Sequence, residues 1–167
     1  RLTRFSMRGD VREMKRLTTG LSEAVARTKS VKSSDEAMRA RVDFVDPRDN
    51  AGAVYGATQK NRPEVVRLLH EMRADLDKPN TTQGATPAAI AARFGHTAMV
   101  QLLYDVGADV HRPANDGGRP IHAAAHHGHD KPVLLLLSFR ASIEAQDSKG
   151  RTPCWSAASE GQAKMLR

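Results

Sequence analysis

The segment GATPAAIAARFGH at residues 84–96 decides the fold, because its pattern returns twice at an interval of 33 residues. The second copy is GGRPIHAAAHHGH at residues 117–129, and the third is GRTPCWSAASEG at residues 150–161. Each copy keeps a glycine, a proline three residues later, two adjacent alanines and a closing glycine. A fixed period of this length is the sequence signature of a solenoid built from short repeats.

The residue types at the repeated positions predict a pair of helices. Thr86 before Pro87 fits the N-cap and the first position of a helix, because the hydroxyl accepts an N–H bond and proline has none to leave unpaired. The alanine pair permits close approach of neighbouring helices. The closing glycine falls where a left-handed residue ends a helix, and Asn61 takes that place one repeat earlier. Val100 and the leucines after it predict the apolar stripe of a second helix.

These motifs resemble those of the ankyrin repeat family, strongly over residues 83–161, well over 49–82 and weakly over 1–20. The resemblance implies an all-α solenoid of about four to five helix-turn-helix repeats with projecting hairpin loops. The repeats are expected at 47–81, 82–114, 115–147 and 148–167, the last of them incomplete. Between the first two of these the interval is 34, which predicts one inserted residue near 79–82.

Residues 1–46 are expected to form a degenerate first repeat that carries about twenty residues more than the period allows. The extra residues fall within 18–41, which does not match the repeat pattern. They are interpreted as a surface excursion, with or without a role in binding. Because a solenoid normally ends in a polar capping repeat, we expect either more chain beyond Arg167 or a partner that covers this end.

Three arginines depart from the repeat pattern. Arg119 stands where the other repeats have the capping threonine, and loss of such a cap costs about 1 kcal/mol. Arg73 and Arg140 stand at the position of Gly107, which is predicted to need a positive φ. These arginines are interpreted either as sequence drift that an exposed turn tolerates or as part of a surface that contacts a partner.

The chain is basic, with 26 Lys+Arg against 19 Asp+Glu, and residues 1–48 carry 12 basic and 7 acidic side chains. This region fits a solvated face, a contact with RNA or another polyanion, or a mitochondrial transit peptide. Only Phe5 and Phe44 are aromatic there, so base stacking is poorly supported. The basic side chains that recur every four residues are Arg4, Arg8, Arg12 and Arg16.

Several kinds of chemistry are disfavoured by the sequence. The single cysteine, Cys154, excludes an internal disulfide and a cysteine-based zinc module, and it is expected to be buried in the stack. No phosphate-binding glycine loop or paired-carboxylate motif is present, so we expect no enzyme activity, no cofactor and no small-molecule substrate. The longest apolar run, at 133–137, is far below the ~18 residues of a membrane span.

Four histidines within eight residues raise the question of a metal site: His122, His126, His127 and His129. His122 and His126 share the i,i+4 spacing of zinc-binding helices, but Gly128 ends that helix before His129. The family resemblance gives His129 a hydrogen bond between repeats and places His122 where members often have histidine. We therefore predict no metal site, and His126 and His127 are the two histidines left without a structural role.

The resemblance implies a non-catalytic module that binds another protein through its hairpin tips and the concave groove of its inner helices. Phe94 is the predicted hot spot, and His126 with His127 predicts binding that changes between about pH 5 and 7. We expect an intracellular, most simply cytoplasmic, protein in a multi-subunit complex. Alternatives are a ribonucleoprotein contact through residues 1–48 and a regulatory segment of a larger enzyme or channel. The candidate partner-binding residues are Arg48, Asp49, Gln59, Lys60, Gln83, Arg93, Phe94, Asn115, Asp116, His126, His127, Lys149, Arg151 and Glu160.

Overall fold

The computed structural model describes residues 52–163, so the predictions made for residues 1–51 and 164–167 lie outside the described part. The described part holds seven helices and no strand. The helices are α1 (Ala53–Gln59), α2 (Pro63–Glu71), α3 (Pro87–Arg93), α4 (Thr97–Asp105), α5 (Pro120–His126), α6 (Asp130–Ser138) and α7 (Pro153–Ser159). This is the predicted all-α solenoid: three helix pairs followed by the first helix of a fourth.

The inner helices form one continuous row, in which α1 packs on α3, α3 on α5 and α5 on α7. The outer helices α4 and α6 pack against each other behind this row. The alanine pairs Ala91–Ala92 and Ala124–Ala125 are completely or almost completely buried within the row. Small side chains at this position therefore let the inner helices approach closely, while Val100, Leu103 and Leu136 fill the core on the outer side.

The N-caps follow the sequence prediction. The Thr86 hydroxyl accepts a hydrogen bond from the N–H of Ala89 at 3.2 Å, and the Thr152 hydroxyl accepts one from Trp155 at the same distance. Arg119 has no acceptor to offer, because a guanidinium only donates. In its place the His122 N–H donates to the carbonyl of Arg119 at 2.9 Å, which tightens the first turn of α5.

The left-handed positions are also confirmed. Asn61 closes α1 with a φ of 51°, and the glycines that close α3, α5 and α7 have φ values of 71°, 69° and 69°. Arg73 and Arg140 have φ values of 58° and 67°, at the repeat position where Gly107 has 88°. The two arginines therefore occupy a backbone conformation that a side chain makes unfavourable.

The expectation that Cys154 is buried is wrong, because this side chain is exposed. Ala158, one turn further along the same helix, is exposed as well. In each earlier repeat the next inner helix covers the position of Cys154, whereas no described residue covers this face of α7. The buried counterparts of Cys154 are Val54, Ala88 and Ile121.

Between residues 52 and 163, none of the helices combines the length and the apolar character that crossing a membrane requires.

Candidate binding groove

The hairpin tips of successive repeats are joined to one another through their backbones. The N–H of Asn115 donates to the carbonyl of Gln83 at 3.0 Å. One repeat later, the N–H and the hydroxyl of Ser148 both donate to the carbonyl of Asp116, at 2.9 and 2.6 Å. These bonds hold three tips in a row and leave their side chains to line a surface.

The first and the last of these tips are closed by a polar side chain at the base, whereas the middle tip has Ala114 there. Asn80 Oδ1 accepts hydrogen bonds from the N–H groups of Gln83 and Ala85, at 3.1 and 2.9 Å. Asp147 Oδ1 accepts from Lys149 and Arg151, both at 2.9 Å. The hairpin that begins at Asn80 closes over five positions, whereas the one that begins at Asp147 closes over four. The predicted extra residue therefore lies in the hairpin itself.

The last tip holds an arginine between a carboxylate and an indole. Both Nε and Nη2 of Arg151 lie 2.6 Å from Asp147 Oδ2. The hydrogen bond from Arg151, opposed by burial, lowers the pKa of Asp147 to about 2. The guanidinium carbon also lies 5.2 Å from the ring centroid of Trp155, which is 51% exposed. This chain of contacts fixes an exposed aromatic side chain beside the tip.

A groove of about 590 Å³ runs between the tips and the inner helices α3, α5 and α7. Ala89, Ile90 and Ala123 contribute small and apolar side chains to its lining, and Trp155 and Arg119 add large ones. The structure therefore brings together residues from three successive repeats. The predicted binding residues that line this groove are Gln83, Arg93, Asn115, Asp116, His126, His127, Arg151 and Glu160.

Other predicted binding residues lie elsewhere. Phe94 is 45% exposed, but it does not line the groove; its ring stacks at 5.9 Å on that of His96, with the guanidinium of Arg93 at 6.0 Å. Its role as a hot spot stays a prediction. Gln59, Lys60 and Lys149 also fall outside the groove lining. Arg48, Asp49 and the basic region 1–48 lie outside the described residues.

The sequence pattern missed Trp155 as a groove residue. A signal for it exists, because Trp155 occupies the third helical position after the N-cap, where earlier repeats have Ala89 and His122. Both of those side chains line the groove. Comparing repeats position by position, rather than judging α7 by itself, identifies the tryptophan.

Two of the four clustered histidines have structural roles. His122 is buried, and its Nε2 lies 3.0 Å from the carbonyl oxygen of Ala145 in its own repeat and 3.1 Å from that of Arg151 in the next repeat. His129 Nε2 lies 3.0 Å from the carbonyl oxygen of Arg93, which confirms the predicted hydrogen bond between repeats. Among residues 52–163, no group of three or more His, Cys, Asp or Glu side chains is placed to hold a metal ion.

His126 and His127 are exposed side chains at one edge of the groove. Their ring centroids lie 4.8 Å apart in an edge-on arrangement, and His126 Nδ1 lies 3.6 Å from Glu160 Oε1. Burial lowers the pKa of His127, and the positive charges of its neighbours His126, Arg93 and His129 lower it further. At this edge of the groove, positively charged groups therefore lie close enough to repel one another.

Comparison with known proteins finds ankyrin repeats in two parts of the chain. A family model for three copies of the ankyrin repeat matches residues 21–114, and one for many copies matches residues 121–167. The first match takes in most of the segment 18–41, which the repeat pattern had left unmatched.

One relative is an ankyrin repeat and KH domain-containing protein of Caenorhabditis briggsae, 35% identical over 73 residues. The similarity covers 42% of this chain and 3% of the length of the relative. The chain therefore spans only a small part of that protein.

Proposed function

Because the chain belongs to the ankyrin repeat family, whose repeats are generally protein–protein interaction modules and typically non-catalytic, we propose that it binds a partner protein in the groove between its tips and inner helices. The groove lined by side chains of three successive repeats, with the indole of Trp155 beside Arg151, is the observation that carries this proposal. Tryptophan and arginine are among the residue types enriched in binding hot spots.

The scaffold suits such binding because its own hydrogen bonds are internal. The tips are tied to each other by backbone bonds, and the inner helices are held by buried alanines. Groove side chains such as Arg93, Arg119 and Trp155 are exposed, so they can contact a partner without leaving the core. A rigid surface of this kind loses little conformational entropy when the partner binds.

We further propose that the partner is a component of a multi-subunit complex. The proposed location of this complex is a reducing compartment, most simply the cytoplasm. A chain with one cysteine draws no stability from internal disulfides and suits such a compartment. A net charge of +7 favours association with acidic surfaces of other proteins.

Site-specific photo-crosslinking tests the proposal. A photoreactive amino acid replaces Ser159, which is exposed and lines the groove, and a matched variant carries it in place of Leu134, which is 66% exposed on the outer helix α6. Irradiation in native extract is expected to give a discrete adduct from position 159 and none of the same mass from 134. An adduct from 134 alone, or equal adducts from both, contradicts binding in the groove.

A further inference from the structure

The chemistry of the groove edge identifies the kind of segment it accepts, an inference that rests on the proposed function. We propose that the groove takes an extended acidic segment of the partner, whose carboxylates lie beside Arg93, His126 and His127, and that this binding strengthens as the pH falls below about 6.5.

An arginine and two histidines line one edge of the groove and a third histidine lies next to them; the four are here termed the histidine edge: Arg93, His126, His127 and His129. The rings of His126 and His127 lie 4.8 Å apart, and those of His127 and His129 lie 6.3 Å apart. His129 Nε2 is fixed on the carbonyl of Arg93, which holds the two repeats together at this edge. The arrangement therefore belongs to the rigid part of the fold.

The charge of the groove depends on these histidines. Arg151 is paired with Asp147, whose side chain is only 4% exposed, so neither acts as a free charge. Arg93 and Arg119 are balanced by Asp116 and Glu160 while the histidines are neutral. Protonation of His126 and His127 then gives the groove a net positive charge, and the carboxylate beside them is that of Glu160.

An anion relieves the repulsion within the histidine edge. The pKa of His127 is lowered in part because Arg93, His126 and His129 are positively charged neighbours. A carboxylate placed beside His127 opposes this repulsion and favours the protonated form of the ring. Binding of an acidic segment and uptake of protons are therefore linked, and each strengthens the other.

The dimensions of the groove indicate the form of the segment. Inner helices that pack against one another lie 8–10 Å apart, so the distance from α3 to α7 is about 20 Å. An extended chain covers this distance with about six residues. The small side chains of Ala89 and Ala123 allow its backbone to approach, and Trp155 offers a surface for one apolar side chain.

The experiment uses the whole chain and a fluorescein-labelled peptide of about eight residues, ~26 Å long when extended, with glutamate at alternate positions and one leucine. A second peptide has glutamine at every glutamate. Affinity is measured by fluorescence anisotropy at pH about 7.5 and about 5.5, where glutamate stays ionised and histidine changes its charge. Because Trp155 is the single tryptophan, its emission reports whether the peptide enters the groove.

We expect the acidic peptide to bind roughly five to ten times more tightly at the lower pH, and the glutamine peptide to bind weakly at both. Substitution of both His126 and His127 by glutamine is expected to remove this pH dependence, because glutamine carries no proton that titrates in this range. The matched control His70→Gln, on the outer helix α2, keeps the dependence. Circular dichroism confirms that all variants are folded.

Three results overturn the inference: no binding of the acidic peptide, an affinity that does not change with pH, or equal binding of the glutamine peptide. Crosslinking from position 159 separates this failure from that of the proposed function. If position 159 gives an adduct but the acidic peptide does not bind, the groove remains the proposed binding site and only the acidic segment is rejected. Absence of the adduct rejects the groove itself.

Discussion

Arg151 contacts one oxygen of Asp147 with two of its nitrogens, Nε and Nη2, each at 2.6 Å, while the other oxygen accepts two backbone N–H groups. A buried carboxylate with this many donors is strongly favoured in its ionised form. The pair stabilises the last hairpin tip and places the guanidinium over Trp155. Fold stability and the shape of the groove therefore depend on the same carboxylate.

Replacement of Asp147 by asparagine is expected to lower the free energy of unfolding by about 2 kcal/mol at neutral pH. The pKa of Asp147 in the folded state is about 2, below its ordinary value of 3.8, so its contribution is present above about pH 4. That contribution disappears as the pH falls toward 2. Urea unfolding across this range should show the two proteins converging in acid. The exposed Glu144→Gln serves as control, and a constant difference at every pH contradicts the assignment.

Two equivalent glycines of successive repeats give a second prediction. Gly117 and Gly150 have φ values of 77° and 73°, so alanine is strained at both. A Cβ at Gly117 would lie 2.7 Å from the backbone nitrogen of Ser148, whereas one at Gly150 meets no described atom within 4 Å. Gly150→Ala is expected to cost about 1 kcal/mol, and Gly117→Ala at least twice that because the tip-to-tip hydrogen bonds must shift.

Thermal and urea unfolding of the two alanine variants provide the measurement, with the same helical content required of both at low temperature. Equal losses of stability at the two positions would mean that the contact between neighbouring tips is not tight. A larger loss at Gly150 is incompatible with the described geometry.

The N-cap of α5 gives a third prediction. The Arg119→Thr substitution supplies the hydroxyl that Thr86 and Thr152 provide in their own repeats, and it is expected to raise the free energy of unfolding by up to ~1 kcal/mol. Arg119→Ala removes the same guanidinium without adding an acceptor and is expected to bring no such gain. Urea unfolding of the three proteins measures the difference. A gain from alanine equal to that from threonine indicates that the arginine charge, not the missing cap, is unfavourable.

Positions set by the backbone of one repeat were predictable from the sequence. Thr86 caps its helix, and Asn61, Arg73 and Arg140 adopt positive φ, because local chain geometry imposes these requirements in every copy. Burial of Cys154 was not predictable in the same way. It depends on what packs against α7: no residue described between 52 and 163 covers this side chain, whereas the equivalent Val54, Ala88 and Ile121 are buried.

The binding residues were predicted by repeat position, and only some of them line the groove. His127 and Glu160 line the groove, but Phe94 at the equivalent position does not, because its ring stacks on His96. Trp155 was not among the predicted binding residues. Side-chain direction depends on contacts within the individual repeat, and the period alone does not supply them.

Trp155 and Phe94 provide the last prediction, because they are similarly exposed aromatic side chains on different parts of the stack. Trp155 lines the groove with an arginine over its ring, whereas Phe94 lies outside the groove lining. Trp155→Ala is expected to weaken binding of the labelled acidic peptide by about tenfold or more, and Phe94→Ala by less than about threefold. Anisotropy measures both, since removing the tryptophan abolishes the intrinsic signal.

The Asp147–Arg151 pair remains intact in Trp155→Ala, so this variant is expected to unfold at nearly the wild-type urea concentration. Loss of binding without loss of stability then assigns the effect to the missing indole. If Phe94→Ala causes the larger loss, the partner contacts the flank of α3, as the position of Phe94 in the repeat first suggested. If both variants bind normally, neither aromatic residue is a hot spot, and the contact energy lies with the charged side chains of the groove.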